Sequence, residues 1–449
     1  IQWIVDSLME RSEREGRKVV FVFFDPHGSY IRRYGKPGDW VGNPYDVRGF
    51  SWCPTWELDL NREKWSKARA LAMARSIYTG KQKENAVNSS SEFFTRSSQL
   101  LFSHLVLKHQ PTEAQELASW MDNPESEIET RVAGKLATDL DHGSMGQRNG
   151  ILSSFTMPQQ AFEAIPMSGY RLNGTWHKNA PCWTARDWCL QRDRNIFLTS
   201  TADTIDALQP LHSMWIDMIF RQIISMGERP NLPEIVIVID EADAAQRLPT
   251  LQKAVNQIRK FGATIILGFQ SRSQLVDVYG EEEATAILAA MKTQIYHRTG
   301  EEKSAKWQAG NIGEIEFEEL HETWSGSGMG KQDRQVSTQL KRKFLLKPSD
   351  FMGLKDRESI LRFENEVVRY RVAISPFRQN ENAFVPRSDS PVTKGIRREP
   401  EPKEKPAKEK TQKEPKAGVK SGSKRAKKLQ PEENETVLIG VNVTTQGDD

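Results

Sequence analysis

Short runs of apolar residues, rich in β-branched and aromatic side chains, recur along the first two thirds of the chain. They occupy residues 19–24, 195–200, 235–239, 264–269 and 294–297. Stretches with helical periodicity separate most of them, at residues 211–226, 249–260 and 281–291. A fully apolar strand is typical of a sheet covered on both faces, and alternation with helices is typical of parallel strands. The pattern therefore predicts an α/β fold built on a mostly parallel sheet with helices on both faces.

A long stretch with helical periodicity separates the first apolar run from the second. Its helical segments lie at residues 67–77, 91–107 and 112–121. Thr112 and Gln115 have the spacing of a capping box, which marks the start of a helix. We predict an all-α domain over residues 50–180, inserted into the α/β domain. The alternative is an irregular excursion without a core of its own, which the phenylalanine and leucine residues at 93–107 make less attractive.

The region after the last apolar run contains a loop and a hairpin. Residues 325–330 are rich in Ser and Gly and predict a loop, and a basic cluster follows at residues 340–343. We hold open the interpretation that this cluster lines a pore. The segments 359–363 and 367–372 predict a β-hairpin that turns near Asn365.

The C-terminal segment differs from the rest of the chain in composition. From about residue 378 it is rich in Pro, Lys and Glu, and we predict a disordered basic tail over residues 377–449. The lysines within 403–428 could bind DNA by counterion release, but the interleaved glutamates favour a solvated linker. An apolar patch at 437–443, followed by an acidic end, is a candidate docking segment.

Composition narrows the class of protein. The net charge of +3 combines 14 basic and 10 acidic residues from Lys394 onward with 49 basic and 50 acidic residues before it. Charge alone therefore gives no reason to expect nucleic-acid binding by the folded part. The three cysteines lack metal-ligand spacing and favour a reducing compartment. No apolar run reaches 18 residues, so no membrane span is predicted.

The strongest chemical candidate is an acid pair, Asp240 and Glu241, which directly follows the apolar run 235–239. In phosphate-loop ATPases an aspartate at this position lies beside Mg²⁺ and a glutamate lies beside the attacking water. Hard oxygen ligands suit Mg²⁺, and the glutamate must reach a water in line with the γ-phosphate. The alternative is two surface acids that open a helix.

Three further polar residues follow or precede neighbouring strands. Asp25 and Gln270 come after the runs at 19–24 and 264–269, so they are expected at the same sheet edge as Asp240 and are candidates, with Asp240, for binding the cofactor. Gln270 is a candidate for sensing the γ-phosphate. Arg259 is a candidate for reaching the nucleotide of a neighbouring subunit. The alternatives are a helix-capping Gln270 and an Arg259 that stabilises a helix dipole.

A set of short segments gives the chain a family resemblance. They are residues 43–46 (NPYD), 202–203 (AD), 208–210 (LQP), 213–215 (SMW), 259–262 (RKFG), 270–271 (QS), 274–275 (QL), 277–281 (DVYGE) and 309–314 (AGNIGE). In these segments the chain resembles the type IV secretion coupling proteins, in particular their TraD-like branch. The resemblance covers nearly all of residues 1–375 and keeps the order of the segments.

The resemblance implies a RecA-like P-loop motor domain, with its first part at residues 1–49 and its second at 181–376. It implies a homo-hexamer at the cytoplasmic face of the bacterial inner membrane that moves single-stranded DNA using ATP and Mg²⁺. Partners would be the relaxase, a relaxosome accessory protein and components of the secretion channel. Glu241 would be the catalytic acid, Asp240 the magnesium residue, Arg259 the trans-acting finger and Gln270 the nucleotide sensor.

Two departures from the family pattern open an alternative. The Gly-rich loop ending in Gly-Lys-Ser/Thr is absent, as are the membrane helices that would anchor the protein. Ile1, Ile4, Val5 and Leu8 have helical spacing, so we interpret residue 1 as a truncation point within a helix. This fragment alone is then expected to bind ATP poorly and to hydrolyse none. The alternative is a non-catalytic relaxosome-docking module that lacks ATPase activity.

Overall fold

The computed structural model describes residues 1–79, 89–122, 124–132, 145–168, 171–172, 175–176, 180–327, 331–373 and 377–387. Its α-helices are α1 (Gln2–Glu15), α2 (Ser29–Tyr34), α3 (Glu63–Ile77), α4 (Ser89–His109), α5 (Ala114–Asp122), α6 (Pro124–Arg131), α7 (Met145–Phe155), α8 (Gln159–Ala164), α9 (Ala185–Gln191), α10 (Ile205–Met226), α11 (Leu251–Gln257), α12 (Arg272–Tyr279), α13 (Glu281–Ala290), α14 (Glu302–Ile312) and α15 (Pro348–Met352). Short 3-10 helices span Pro54–Glu57 and Ile258–Phe261.

The strands are β1 (Val19–Asp25), β2 (Trp40–Val41), β3 (Arg171–Leu172), β4 (Thr175–Trp176), β5 (Ile196–Thr199), β6 (Glu234–Ile239), β7 (Ala263–Leu267), β8 (Thr293–Tyr296), β9 (Glu314–Ser327), β10 (Lys331–Phe344), β11 (Glu358–Phe363) and β12 (Glu366–Arg371). Five of them form a parallel sheet in the order β2–β5–β1–β6–β7. β3 and β4 form a separate short antiparallel pair.

β1 is the middle strand of the parallel sheet and is covered on both faces. Val22 and Phe24 belong to one apolar core, whereas Phe21 and Phe23 belong to another. Successive side chains of a strand point to opposite faces, so the unbroken apolar run of β1 supplies both cores. The parallel sheet predicted from the runs at 19–24, 195–200, 235–239 and 264–269 is thereby confirmed.

The run at 294–297 was wrongly assigned to the parallel sheet. β8 instead pairs antiparallel with β11, which pairs antiparallel with β12. Tyr296 is buried against Phe351 and Ile360 in a small core, while Thr293 is exposed. Burial on one side only is typical of an antiparallel strand, which explains the difference. The predicted hairpin between β11 and β12 is confirmed.

A long hairpin replaces much of the loop region expected around residues 325–330. β9 and β10 pair over their full lengths, with Ser327 opposite Lys331. The basic cluster lies within β10, where Lys341 pairs with Glu319 and Arg342 with Glu316. Cross-strand pairs of opposite charge stabilise such a ladder, which is why the strands extend further than the loop prediction allowed.

The helices of residues 50–180 share their core with the parallel sheet. Trp52 lies 6.2 Å from Phe162 on α8 and 6.0 Å from Trp215 on α10, between ring centroids. The described residues all belong to one compact unit by their contacts. The boundaries predicted for an inserted all-α domain stay a prediction. Among the described residues, no helix combines the length and apolarity needed to cross a bilayer.

The first residues of the predicted tail, 377–387, are ordered in the structure. The described residues 377–387 pack against the start of the chain, where the Val47 amide donates to the Val385 carbonyl oxygen at 2.8 Å. The Asn380 amide donates to the carbonyl oxygen of Arg32 at 2.7 Å. Backbone hydrogen bonds fix this segment although its composition resembles the tail, so composition alone misplaced the boundary. The remainder of the predicted tail, with its lysine run and docking segment, lies outside the described residues.

Candidate functional site

The carboxyl ends of β1, β6 and β7 meet at one edge of the parallel sheet. Phe24 pairs with Ile239, and Ile239 pairs with Leu267, so the residues that follow these strands are neighbours. Gly268 approaches so closely that an added Cβ would lie 2.4 Å from the carbonyl oxygen of Asp240. Open parallel sheets bind ligands outside the carboxyl ends of their strands, which makes this edge the candidate site.

Asp240 is half-buried and is held by a tyrosine from another element. The Tyr30 hydroxyl donates to Asp240 Oδ2 at 2.8 Å. Tyr30 lies on α2, the short helix that follows β1, and its ring is fully buried. Because β1 is the neighbour of β6, a helix that follows β1 can reach the residue that follows β6.

Glu241 faces a histidine from the turn between β1 and α2. Glu241 Oε2 lies 3.3 Å from His27 Nε2, and the side chains are 35% and 64% exposed. His27 precedes Gly28, whose φ of 69° is a left-handed conformation that glycine adopts without strain. A carboxylate that is partly exposed at this position can meet a water molecule.

The carboxylate of Asp25 accepts hydrogen bonds from the first turn of α2. The amides of Ser29, Tyr30 and Ile31 donate to it at 2.8, 2.7 and 3.1 Å. Burial raises the pKa of Asp25, and these amide donors oppose that rise. The side chain is 2% exposed and already fully engaged. The structure shows that Asp25 fixes the start of α2. Its predicted role in cofactor binding stays a prediction.

Gln270 lies exposed in the loop between β7 and α12, and a second glutamine organises that loop. Gln274 Oε1 accepts the amides of Gln270 and Ser271 at 3.0 and 3.1 Å. Gln274 Nε2 donates to Asp243 Oδ2 at 3.0 Å. The loop that presents Gln270 is thus tied to the segment that follows Glu241.

Arg259 is not brought to this edge within the chain. It is exposed in the 3-10 helix that precedes β7, at the opposite end of the sheet from Asp240. The six residues of β6 span about 20 Å. Arg259 therefore does not reach the candidate site at this edge of its own chain.

The amino end of α1 also lies at the candidate site. The Cβ position of Gly268 is 3.0 Å from Ile1 Cδ1, which places the first turn of α1 beside the end of β6. The first turn of α1 and the two carboxylates therefore share one region.

The donor set fits Mg²⁺ bound together with a phosphate. Among the described residues there is no cluster of three or more His, Cys, Asp or Glu that could hold a metal by itself. Mg²⁺ usually takes one or two protein carboxylates and completes its shell with phosphate oxygens and water. Asp240 supplies one such carboxylate, and Glu241 beside it leaves a second oxygen donor free for water.

Sequence reasoning missed Tyr30 and His27 as members of the site. Both lie a few positions after the end of β1, where nothing in the local pattern indicates a contact more than 200 positions away. The only indication available was that a segment following β1 must lie beside one following β6 if the strands are adjacent.

The chain belongs to the family described as type IV secretion-system coupling protein DNA-binding domain, whose model matches residues 3–375. This confirms the resemblance found in the sequence. The coupling protein TraD of Escherichia coli (strain K12) is 26% identical over 370 residues, covering 79% of this chain and 48% of TraD. Protein VirD4 of Rhizobium rhizogenes is 24% identical over 179 residues, covering 38% of this chain and 26% of VirD4. The chain spans about half the length of TraD and about a quarter of VirD4.

Solved structures of the bacterial conjugative coupling protein TrwB share the fold. An unbound form lacking its N-terminal segment (TrwBdeltaN70) has a TM-score of 0.64 at 24% identity, covering 84% of this chain and 83% of that one. TrwB in complex with ADP and Mg²⁺ has a TM-score of 0.63 at 23% identity, covering 84% of each chain. The predicted RecA-like α/β fold is confirmed by these matches.

Proposed function

We propose that this chain is the motor part of a conjugative type IV coupling protein, an ATPase that moves single-stranded DNA from the relaxosome to the transfer channel. The observation that carries the proposal is the acid pair Asp240–Glu241 at the carboxyl end of β6. Tyr30 contacts Asp240, and His27 contacts Glu241. Support also comes from TrwB, which has been solved with the ATP analogue ADPNP and with ADP and Mg²⁺.

Each residue at the sheet edge has a chemical task in this proposal. Asp240 holds Mg²⁺, which neutralises charge that develops on the phosphates during hydrolysis. Glu241 polarises the attacking water and accepts its proton. Gln270 reports whether the γ-phosphate is present, and Gln274 keeps the loop of Gln270 in register with the segment after Glu241.

The wider assembly is also part of the proposal. Because Arg259 lies at the opposite end of the sheet from the site of its own chain, a role in catalysis requires a neighbouring subunit, and a closed hexamer supplies one at every site. The inner membrane, the relaxase with its accessory protein, and the secretion channel are the surroundings and partners that this function requires.

Replacement of Glu241 by Gln tests the proposed hydrolysis in the full-length protein, including any residues encoded upstream of Ile1. Glu241→Gln should lower turnover of ATP by at least about 100-fold, because the amide cannot accept the proton of the attacking water. Nucleotide binding, followed with a fluorescent ATP analogue, should stay within about twofold of wild type since the volume is unchanged.

Glu228→Gln is the matched control for this experiment. Glu228 is exposed in the loop before β6, at the other end of the same strand, so the same charge change there should leave turnover unchanged. Full turnover by Glu241→Gln, or a full-length wild type that is inert toward ATP with single-stranded DNA present, would refute the proposed function. The latter result would favour a docking module instead.

A further inference from the structure

A buried tyrosine hydroxyl is aimed at the residue proposed to hold Mg²⁺. Tyr30 is 1% exposed, and its hydroxyl lies 2.8 Å from Asp240 Oδ2. The ring is stacked on Phe23 and Tyr34, with centroids 5.0 and 6.1 Å away. A ring held by such contacts has little rotational freedom, so the position of its hydroxyl is fixed.

The hydroxyl is the donor in this contact, and Asp240 Oδ2 is the acceptor. One oxygen of Asp240 is thereby fixed, and in the described part of the chain the other oxygen makes no hydrogen bond.

The backbone of Tyr30 is fixed as well. Its amide donates to Asp25 Oδ2 at 2.7 Å, and the same carboxylate accepts the neighbouring amides of α2. A continuous path of hydrogen bonds therefore runs from Asp25 at the end of β1, through Tyr30, to Asp240 at the end of β6. Fixed outer contacts of this kind orient carboxylates that bind metals.

The geometry points to Tyr30 as a positioning residue that holds the Asp240 carboxylate in the orientation needed for Mg²⁺, an inference that rests on the proposed function. Asp25 acts through the same path by fixing the first turn of α2. The substitution Tyr30→Phe removes the hydroxyl and leaves the ring in place. It therefore isolates the contribution of the hydrogen bond to Asp240.

The test measures how Mg²⁺ strengthens binding of a fluorescent ADP analogue to the full-length protein. Tyr30→Phe should raise the Mg²⁺ concentration at the midpoint by roughly 10-fold, because outer contacts to metal ligands typically contribute 10- to 100-fold in affinity. Binding of the analogue in excess EDTA should be unchanged. Mn²⁺ binding in the presence of ADP, followed by electron paramagnetic resonance, should weaken by a similar factor.

Tyr34→Phe is the matched control, since Tyr34 is also buried and its hydroxyl donates to Asp6 Oδ1 at 2.8 Å, away from Asp240. It should leave the Mg²⁺ midpoint at the wild-type value. An unchanged midpoint for Tyr30→Phe, or an equal shift for both variants, overturns the role of Tyr30 while wild-type binding still supports the proposed function. A wild type whose nucleotide binding ignores Mg²⁺ overturns the proposed function and this inference together.

Discussion

His212 lies in the core, where its Nε2–H donates to the carbonyl oxygen of Gly42 at 2.7 Å. Phe24 and Trp215 lie against the ring, with centroids 6.0 and 5.9 Å away. Burial lowers the pKa of His212 to about 4, compared with about 6.5 in an unfolded chain. Below the unfolded value the unfolded chain binds a proton that the folded chain excludes. Stability should therefore fall as the pH drops from about 6.5 toward 4.

Replacement of His212 by Gln should remove this part of the acid sensitivity. Gln can still donate to Gly42 but does not titrate, so the loss of stability between pH 7 and pH 5 should shrink by about 2 kcal/mol. Urea unfolding at the two pH values measures the difference. His321→Gln, at an exposed histidine, should behave like wild type. An equal loss in His212→Gln and wild type would exclude this source of acid sensitivity.

At the residue scale, sequence reasoning located the acids but not their supports. Asp240 and Glu241 could be predicted because the end of an apolar parallel strand has a known place in a sheet. Tyr30 could not, because its contact depends on the angle at which α2 leaves β1. Asp25 was correctly placed at the sheet edge, yet only the structure reveals the three amides that donate to its carboxylate.

The loop between β7 and α12 is organised by Gln274, which serves as acceptor to two amides and as donor to Asp243. Ser271 completes a capping box at the start of α12. A capping box fixes the entry into a helix, so the position of Gln270 is set by both the cap and Asp243. One side chain therefore links this loop to the segment after Glu241.

Replacement of Gln274 by Glu should separate these contacts. The acceptor for the two amides remains, but a carboxylate then faces Asp243, so we expect a loss of about 1–3 kcal/mol in the free energy of unfolding. The double variant Gln274→Glu, Asp243→Asn should recover most of it, since Asn supplies the missing donor. Urea unfolding of the singles and the double measures this. Additive losses would show that the two side chains do not interact.

At the scale of elements, the strands buried on both faces pair in parallel, whereas β8, which is buried on one side only, pairs antiparallel. The runs that became β1, β5, β6 and β7 could be assigned to one parallel sheet because they are largely apolar, which is typical of strands covered on both faces. β8 has a similar length but a polar first half, and that difference was overlooked. The hairpin of β9 and β10 was also missed, because its alternating charges resemble a solvated loop until the partner strand is known.

At the scale of the molecule, the position of Arg259 predicts dependence on assembly. Arg259→Ala should abolish the rise in specific ATPase activity with protein concentration, because a neighbouring site would lose its guanidinium. The measurement is activity per subunit of the full-length protein across a dilution series. Lys253→Ala, at an exposed cation on α11, should keep the wild-type rise. A persistent rise in Arg259→Ala would refute the role across subunits.

The return of residues 377–387 to the start of the chain has a practical consequence. Ala383 packs so closely against Gly28 that a Cβ added to Gly28 would lie 2.8 Å from the Cβ of Ala383. The turn carrying His27 is thus backed by chain that comes after every strand of the parallel sheet. A shortened version cut after β12 would keep the whole sheet yet uncover this turn, so the safe limit for trimming the protein lies beyond residue 387.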